Sequence, residues 1–355
     1  MRICLVASSR HPIRQPFAGG LESLTHQLCH ELTARGHDVT LFAGPGSDPA
    51  LPVEVLDVPA FEPSAAAMAD VNAPSRTWLA EHHAYLGLML ALGSRWADRF
   101  DVVHNNSLHH LPVAMAGSVP MQVVTTLHTP PLPWLESAVA LAPGSSTFAA
   151  VSRSTARGWA HVVRSEVVPN GVDTDVFRAG PGGGPAVWSG RLVPEKAPHL
   201  AIEACRRAGV PLVLAGPVSD PAYVEREVLP RLGPDVELAG HLGRDELVAL
   251  LGRASVAVVT PAWEEPYGLV CAEALACGTP VAAFDRGAMR EILSPRTGRL
   301  ARSGDVDALA RAVARAATLD RDECRVHAVA HCSVARMVDG YERLYERAGR
   351  QDRAA

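Results

Sequence analysis

The sequence is short of lysine, of aromatic residues and of net positive charge. Lys196 is the single lysine among 33 lysine and arginine residues, and aromatic residues make up only 5% of the chain. The formal net charge of −5 excludes a generally basic surface, so we expect neither nucleic acid nor an anionic membrane as a partner. One lysine in an arginine-rich chain indicates a position that needs a compact ammonium group rather than a planar guanidinium.

Long hydrophobic runs and a cysteine framework are absent as well. The most apolar run, Ala84–Leu92, is far too short to span a bilayer and favours a core helix. The N-terminal residues MRICLVASS predict a strand, because they lack the long apolar core of a signal peptide. The seven cysteines are odd in number and include no Cys-x2-Cys pair. This pattern indicates reduced thiols in a cytoplasmic protein, and neither a disulfide framework nor a zinc site.

The sequence does contain a repeated alternation of strand-like and helix-like segments. Its 355 residues exceed one ordinary core, and a glycine- and proline-rich joint at Arg178–Pro185 divides the alternation in two. The chain opens as strand, loop, helix and strand, but it lacks the full Gly-x-Gly-x-x-Gly fingerprint of NAD sites. We therefore predict an α/β protein with two Rossmann-like, doubly wound domains, residues 1–178 and 179–333, followed by a tail helix near Val334–Arg347.

Polar residues directly follow several of the predicted strands. The strand at Asp101–His104 runs into a histidine-rich turn, and the strand at Gln122–Leu127 ends at His128. These positions are candidate site residues, because open α/β sheets bind ligands at the carboxyl ends of their strands. We interpret histidines 82, 83, 104, 109 and 110 mainly as surface or strand-end residues. Elsewhere we predict a strand at Val53–Val58, a helix at Ser64–Arg99 with breaks at Pro74 and near Gly93, and a helix at Ala222–Leu232.

The stretch Glu264–Pro280 has the strongest signature of an anion site. A predicted buried strand, Val256–Trp263, lies just upstream, and the stretch itself contains a glycine turn at Gly268 and the start of an apolar helix. The first amides of a helix lack internal partners and carry partial positive charge, so they favour a bound phosphate. We expect these amides to come from Leu269, Val270 and Cys271. Two carboxylates flank the turn, Glu265 before the helix and Glu273 one turn inside it.

Five motifs in order give the chain a family resemblance. They are GGLE at Gly19–Glu22, TLHTPP at Thr126–Pro131, PNGVDTDVF at Pro169–Phe177, SGRLVPEK at Ser189–Lys196, and the stretch EEPYGLVCAEALACGTP. Together they resemble retaining glycosyltransferases of the family-4 type, which have the GT-B fold. The resemblance covers essentially the whole chain. It implies two Rossmann-like domains facing across a cleft, with a C-terminal helix, about residues 334–350, that crosses back to the N-terminal domain.

The resemblance also implies roles for individual residues. The C-terminal domain would bind a nucleotide sugar, and the N-terminal domain would bind mainly the acceptor. Two cations, Arg191 and Lys196, would stabilise the diphosphate as negative charge develops on the leaving group. Glu273 would contact the ribose, Glu265 the transferred sugar, and His128 would lie beside the anomeric carbon. The Gly19-Gly20 backbone and the amides after Gly268 would lie near the diphosphate. The backbone at His241-Leu242 would lie along the base.

The resemblance further implies retention of configuration without a cofactor or a metal ion. Asp173-Thr174-Asp175 looks like an Asp-x-Asp metal motif but lies in a turn, and Asp305-Val306-Asp307 precedes a helix, where it is typical of an N-cap. Double displacement needs a carboxylate nucleophile, and no convincing candidate is visible. Same-face attack, in which the acceptor hydroxyl gives its proton to the departing phosphate oxygen, is therefore expected.

The donor base and the acceptor stay open at this stage. UDP is favoured over GDP only because it is commoner in this group. Arg10, Arg14 and Arg153 could form a basic pocket for an acceptor that carries phosphate or carboxylate; solvated loop arginines are the alternative. Ala197 stands where the family usually has glycine. Two other functions remain possible, a GT-B-fold nucleotide-sugar epimerase and a non-catalytic nucleotide-sugar-binding protein.

Overall fold

The computed structural model describes residues 1–56 and 63–351, with side chains through Gly349. Its N-terminal half is built around a seven-stranded parallel sheet in the order β3-β2-β1-β4-β5-β6-β7. The strands are β1 Arg2–Val6, β2 Asp38–Ala43, β3 Val53–Val55, β4 Val102–Asn105, β5 Gln122–Leu127, β6 Thr147–Ala150 and β7 Glu166–Val167. The helices are α1 Gly20–Ala34, α2 Ala65–Met68, α3 Arg76–Leu92, α4 Leu111–Ala114, α5 Pro133–Leu141 and α6 Arg153–Trp159.

The C-terminal half contains a six-stranded parallel sheet in the order β10-β9-β8-β11-β12-β13. Its strands are β8 Ala186–Ser189, β9 Leu212–Ala215, β10 Val236–Gly240, β11 Ala257–Val259, β12 Val281–Phe284 and β13 Gly298–Ala301. Its helices are α7 Pro198–Ala208, α8 Pro221–Tyr223, α9 Arg244–Arg253, α10 Leu269–Ala276, α11 Met289–Ile292, α12 Val306–Ala316 and α13 Arg321–His331. In each sheet the first strand, β1 or β8, lies in the interior, and the order in which successive strands are added reverses at this strand. This arrangement is expected for doubly wound Rossmann-like folds.

The final helix, α14 Val334–Gln351, returns to the N-terminal half. Met337, Val338 and Tyr341 are buried in the core that also contains β1 and α1. Two tyrosines of α14 also join a buried polar chain. Tyr345 donates a hydrogen bond to His104 Nδ1 at 2.6 Å, and Thr126, itself bonded to His104, donates to Tyr341 at 3.2 Å. The predicted crossover of the last helix is confirmed.

The predicted bounds of helices and strands between the motifs were less accurate. The predicted strand at Val53–Val58 ends at Val55, and residues 57–62 lie outside the described part of the chain. The Ser64–Arg99 segment forms two helices, and the second ends at Leu92, so the predicted break near Gly93 is confirmed. The first helix already ends at Met68, before Pro74, and residues 94–99 form turns where helix was predicted. No helix in the described ranges has both the length and the apolarity to cross a membrane.

The prediction of one regular helix at Ala222–Leu232 is wrong. Only Pro221–Tyr223 is α-helical, and the chain then widens into a π-helical turn and tightens into a 3-10 turn at Leu229–Arg231. Pro230 has no amide hydrogen, so the regular ladder of hydrogen bonds cannot continue through it. The helix α13 received no prediction, although Asp320 caps it by accepting from the amides of Asp322 and Glu323.

Candidate active site

The carboxyl ends of both sheets face one cleft of ≈290 Å³. Residues of both halves line it. Among them are the predicted donor-side residues other than Cys271: Gly19, Gly20, His128, Arg191, Lys196, Leu242, Glu265, Gly268, Leu269, Val270 and Glu273. The structure therefore brings together, from widely separated parts of the sequence, the side chains and amides that were expected to act together.

Two helix N-termini meet in this cleft. Gly268 begins α10 in a left-handed conformation with φ 97°, and a Cβ at this position would clash with Met289 Cε. Gly20 begins α1 in the N-terminal half, where a Cβ would lie 3.0 Å from Leu269 Cδ1 across the cleft. Each N-terminus carries about half a positive charge, so the pair forms a strong anion site.

The amide of Cys271 is not available to an anion, contrary to our prediction. It donates to the carbonyl of Gly268 at 2.9 Å, because the left-handed turn brings that carbonyl within reach. Cys271 is fully buried, whereas Leu269 and Val270 line the cleft. The free amides of this helix therefore reduce to those of Leu269 and Val270.

Lys196 and Glu265 form a direct ion pair at the cleft. Lys196 Nζ donates to Glu265 Oε2 at 2.6 Å, and Trp263 Nε1 donates to the same oxygen at 2.9 Å. The ammonium also lies 5.3 Å from the centre of the Trp263 ring, within reach of a cation–π interaction. Only 9% of the Glu265 side chain is exposed, so this carboxylate depends on its two donors.

The backbone after Lys196 is strained. Ala197 has φ 46° and ψ 53°, the left-handed conformation that glycine adopts without cost. The hydroxyl of Thr260 fixes this turn by contacting the carbonyl oxygens of Lys196 at 2.8 Å and Ala197 at 3.0 Å. The loop thus keeps the conformation expected of glycine although alanine stands there.

Arg191 is held much more loosely than Lys196. Its guanidinium lies 3.6 Å from the carboxylate of Glu195, and 42% of its side chain is exposed. A solvent-exposed pair of this length contributes little to stability. Arg191 can therefore leave Glu195 for a stronger anionic partner at modest cost.

Glu273 lies one turn into α10 and on the same side as Leu269. Its half-buried position raises the pKa of the carboxyl group from its ordinary value to about 7. The group therefore titrates in the neutral pH range. Donors such as sugar hydroxyls would stabilise its charged form.

His128 is a neutral imidazole oriented by a neighbouring strand. Its Nε2 contacts the side-chain oxygen of Asn106 at 2.8 Å, and burial lowers the pKa of the ring to about 3. With Nε2 as donor, Nδ1 is left as an acceptor. Asn106 was not predicted, although the polar turn after β4 contained the signal: β4 and β5 are neighbours in the sheet, so residues that follow them come together.

The three arginines predicted for the acceptor are exposed and are absent from the described lining of the cleft. Arg10 forms an ion pair with Glu81 at 3.2 Å. Arg153 lies at the start of α6, where its amide and that of Ser154 donate to Glu291 of α11 at 2.8 and 2.7 Å. This contact joins the two halves of the chain. A role of Arg10, Arg14 and Arg153 in acceptor binding stays a prediction.

The two aspartate motifs behave as turn and cap residues. Asp173 accepts from the amides of Asp175 and Val176 at 2.9 and 3.1 Å. Asp305 accepts from the amide of Ala308 at 2.8 Å, which confirms the predicted N-cap of α12. These contacts give both motifs a structural role.

Comparison with known proteins agrees with this architecture. The profile of the Glycosyltransferase Family 4 matches residues 18–176, and that of the Glycosyl transferases group 1 matches residues 185–328. The chain is 31% identical to a glycogen synthase of Mycobacterium tuberculosis over 88% of its length and 85% of that protein. It is also 34% identical to a D-inositol 3-phosphate glycosyltransferase of Mycolicibacterium paratuberculosis, over 42% of this chain and 38% of that one.

A solved structure shares the fold over nearly the whole chain. Anabaena HepE in complex with UDP-glucose superposes with a TM-score of 0.75 at 20% identity, covering 98% of this chain and 99% of the other. The order of the two profiles along the chain follows the order of the two sheets. The chain therefore belongs to the group 1 glycosyltransferases of the family-4 type, which have the GT-B fold.

Proposed function

We propose that this glycosyltransferase moves a hexosyl unit from a UDP-sugar to a hydroxyl group of a small-molecule or glycan acceptor, with retention of configuration. The 2.6 Å contact between Lys196 and Glu265 is the observation that carries the proposal. The bond to be broken joins the sugar to the diphosphate, so the group that binds phosphate and the group that binds sugar must be neighbours. A lysine beside a carboxylate meets this requirement.

The diphosphate would lie between the two helix N-termini. The amides of Leu269 and Val270, the Gly19-Gly20 backbone, Arg191 and Lys196 all offer positive charge or donors there. They stabilise the transition state more than the ground state, because the leaving group gains charge as the bond breaks. The five contributions supply the neutralisation that a metal ion provides elsewhere, so we propose metal-independent transfer with no cofactor.

The remaining cleft residues would bind the rest of the donor. Glu273 would accept from the ribose hydroxyls, and the backbone at Leu242 would contact the base. Glu265 would accept from the transferred sugar, while neutral His128 would accept a hydrogen bond from it through Nδ1. UDP is preferred because HepE, whose fold this chain shares, binds UDP-glucose.

The acceptor hydroxyl would attack the anomeric carbon on the face that the diphosphate leaves. The new bond joins the acceptor oxygen to the sugar, the bond from sugar to phosphate oxygen breaks, and the hydroxyl proton goes to that phosphate oxygen. Glu265 and Glu273 are the carboxylates in the described lining of the cleft, and both have other partners in this scheme. The protein then acts by positioning and electrostatics.

A panel of nucleotide sugars tests the donor. Thermal unfolding is measured with UDP-glucose, UDP-galactose, UDP-N-acetylglucosamine and GDP-mannose, since a ligand at a hundred times its Kd stabilises by about 2.7 kcal/mol. A shift with GDP-mannose alone would replace UDP by GDP. No shift with any of the four would contradict the donor site.

Release of nucleoside diphosphate then distinguishes transfer from the other functions. We expect that release requires an added acceptor. We also expect NMR to show that the product has the same anomeric configuration as the donor. Conversion of the donor without an acceptor would indicate an epimerase, and binding without any turnover a non-catalytic binding protein. An inverted product would exclude same-face attack.

A further inference from the structure

A second cluster of polar side chains lies outside the cleft lining, at the carboxyl edge of the first sheet. His82 comes from α3, and His109 and His110 come from the turn between β4 and α4. Each ring offers a nitrogen, and the three nitrogens lie within 4.8 Å of one another. In the ranges 1–56 and 63–351 no other group of three histidine, cysteine or carboxylate side chains is so arranged.

Rigid aromatic neighbours hold these rings. Trp78 stacks on His82 with 4.7 Å between ring centres, and Tyr85 stacks on His109 at 4.5 Å. Tyr85 is itself fixed, because it is buried and its hydroxyl donates to the carbonyl of Ala7 and accepts from the amide of Ser9, each at 2.9 Å. The position of the His109 ring therefore follows from the core, whereas Trp78 beside His82 is exposed.

The three imidazoles are in the form that binds metals. Burial and the neighbouring histidines lower the pKa of all three, that of His109 to about 3, so the rings are neutral at pH 7. His82 Nδ1 is shielded from solvent and has no hydrogen-bond partner among the described residues. A shielded polar atom without a partner is unusual in folded proteins, and a bound ion would supply one.

We propose that His82, His109 and His110 bind a zinc ion. Neutral imidazole is a preferred zinc ligand, and three protein ligands leave a fourth position for water or for a group of a bound molecule. Zinc–nitrogen bonds of about 2.0–2.1 Å put the nitrogens about 3.3 Å apart, so the half-buried rings must close by roughly 1.5 Å at most. His109 would exchange its contact with the amide of Leu111, 3.2 Å long, for the ion.

Cysteines do not compete for this ion. All seven in the chain are free and buried. Burial raises the pKa of thiols such as Cys4 and Cys271, so they stay protonated and are poor ligands. The sequence predicted no zinc site because its cysteine spacing offers none; the histidines come together only through the packing of α3 against the turn after β4.

Zinc binding is measured by calorimetry on the full chain without a polyhistidine tag, after treatment with a chelator and dialysis. One zinc ion per chain is expected. His82→Ala, His109→Ala and His110→Ala should each weaken binding about 100-fold or more, since even partners of metal ligands account for 10- to 100-fold. The matched control is His83→Ala, which should bind zinc normally: His83 neighbours His82 but is exposed and contacts the carbonyl of Leu79.

Cobalt provides a second readout. Cobalt(II) added to the zinc-free protein should give the strong visible absorption of a four-coordinate site, and His82→Ala should abolish it. Zinc-free variants are compared with zinc-free wild type by thermal unfolding, and His110→Gln replaces any alanine variant that fails to fold. Absence of stoichiometric zinc binding, or equal losses in His83→Ala and His82→Ala, would overturn the proposal. If a variant changes the thermal stability of the zinc-free protein but leaves its zinc affinity unchanged, the histidine has only a stacking role. This result would overturn the proposal as well.

Discussion

The two halves of the molecule share one sheet order but differ in the charge that they present to the cleft. The C-terminal half contributes ionisable groups of both signs: Lys196, Arg191 and the N-terminus of α10 are positive, and Glu265 and Glu273 are carboxyl groups. The N-terminal half contributes the N-terminus of α1 and His128, whose lowered pKa keeps it neutral. A common topology thus determines where a ligand lies, and the side chains at the strand ends determine its charge.

The halves also differ in how their site residues are supported. In the C-terminal half an ion pair and an indole hold Glu265, so the group is oriented before any ligand arrives. In the N-terminal half the oriented groups are uncharged, and the predicted acceptor arginines are exposed. We conclude that the Lys196–Glu265 pair is the preorganised charged part of the site.

The largest expected effect concerns Lys196. Lys196→Ala should lower kcat by about 10²–10³, or ~3–4 kcal/mol, because a preorganised donor is lost where charge develops. Lys196→Arg should not restore the rate, since a planar guanidinium does not replace a compact ammonium. Arg207→Ala, an exposed substitution in the same half, is the control and should leave kcat unchanged. Near-normal turnover of Lys196→Ala would break the contrast between the charged and the neutral half.

Glu273 should make donor binding depend on pH. In the proposed donor complex the ribose hydroxyls would donate to the charged carboxylate, and burial raises the pKa of this group to about 7. Donor affinity should therefore rise as the pH rises through 7 and level off above it. Glu273→Gln should weaken binding by about 10- to 100-fold, or ~1.5–3 kcal/mol, and remove this dependence. Titrations of the donor between pH 6 and 8 measure both; an unchanged pH profile in the variant would contradict the role of Glu273.

Tyr345 tests the support of the neutral half. Tyr345→Phe leaves the buried Nδ1 of His104 without its donor, which should lower the free energy of unfolding by about 1–3 kcal/mol. The affinity for the nucleotide sugar should stay the same, because Tyr345 lies in the hydrophobic core and not in the described lining of the cleft. Denaturant unfolding and donor titration measure the two quantities, and Tyr345→Leu serves as the comparison that also changes packing. A large loss of donor affinity at normal stability would refute this separation.

The smallest effect is expected at Ala197. Ala197→Gly relieves the left-handed strain but removes a buried methyl group and makes the unfolded chain more flexible. These terms offset each other, so the free energy of unfolding should change by no more than about 1 kcal/mol. A loss clearly above this value, measured by denaturant unfolding, would mean that the alanine is not strained in solution.

The sequence predicted the turn at Gly268 and the start of α10 correctly, because this part of the cleft is built locally. A strand, a glycine turn and a helix that follow one another must place Gly268, Leu269 and Val270 together, whatever the rest of the chain does. The parallel sheets followed from the same alternation of segments, whereas the crossing of the last helix was implied by the family resemblance. Local pattern also supplied the N-cap at Asp305.

Contacts between distant segments could not be predicted in this way. Lys196 and Glu265 were assigned to different parts of the nucleotide sugar, and their direct contact across 69 positions of sequence was not predicted. The amide of Cys271 was counted as free because the carbonyl of Gly268 turns towards it only in the left-handed conformation. The cluster of His82, His109 and His110 depends on the packing of a helix against a turn, which periodicity does not encode.

The contact of Glu291 with the start of α6 has a consequence for motion. If the two halves separated at this point, the amides of Arg153 and Ser154 would lose their acceptor, and the carboxylate of Glu291 would have to be solvated by water. A rotation that keeps Glu291 seated avoids this penalty. The cleft should therefore open by a rotation about an axis near Glu291, and the contact between His241 and the carbonyl of Phe17, which also joins the two halves, should break in the open form.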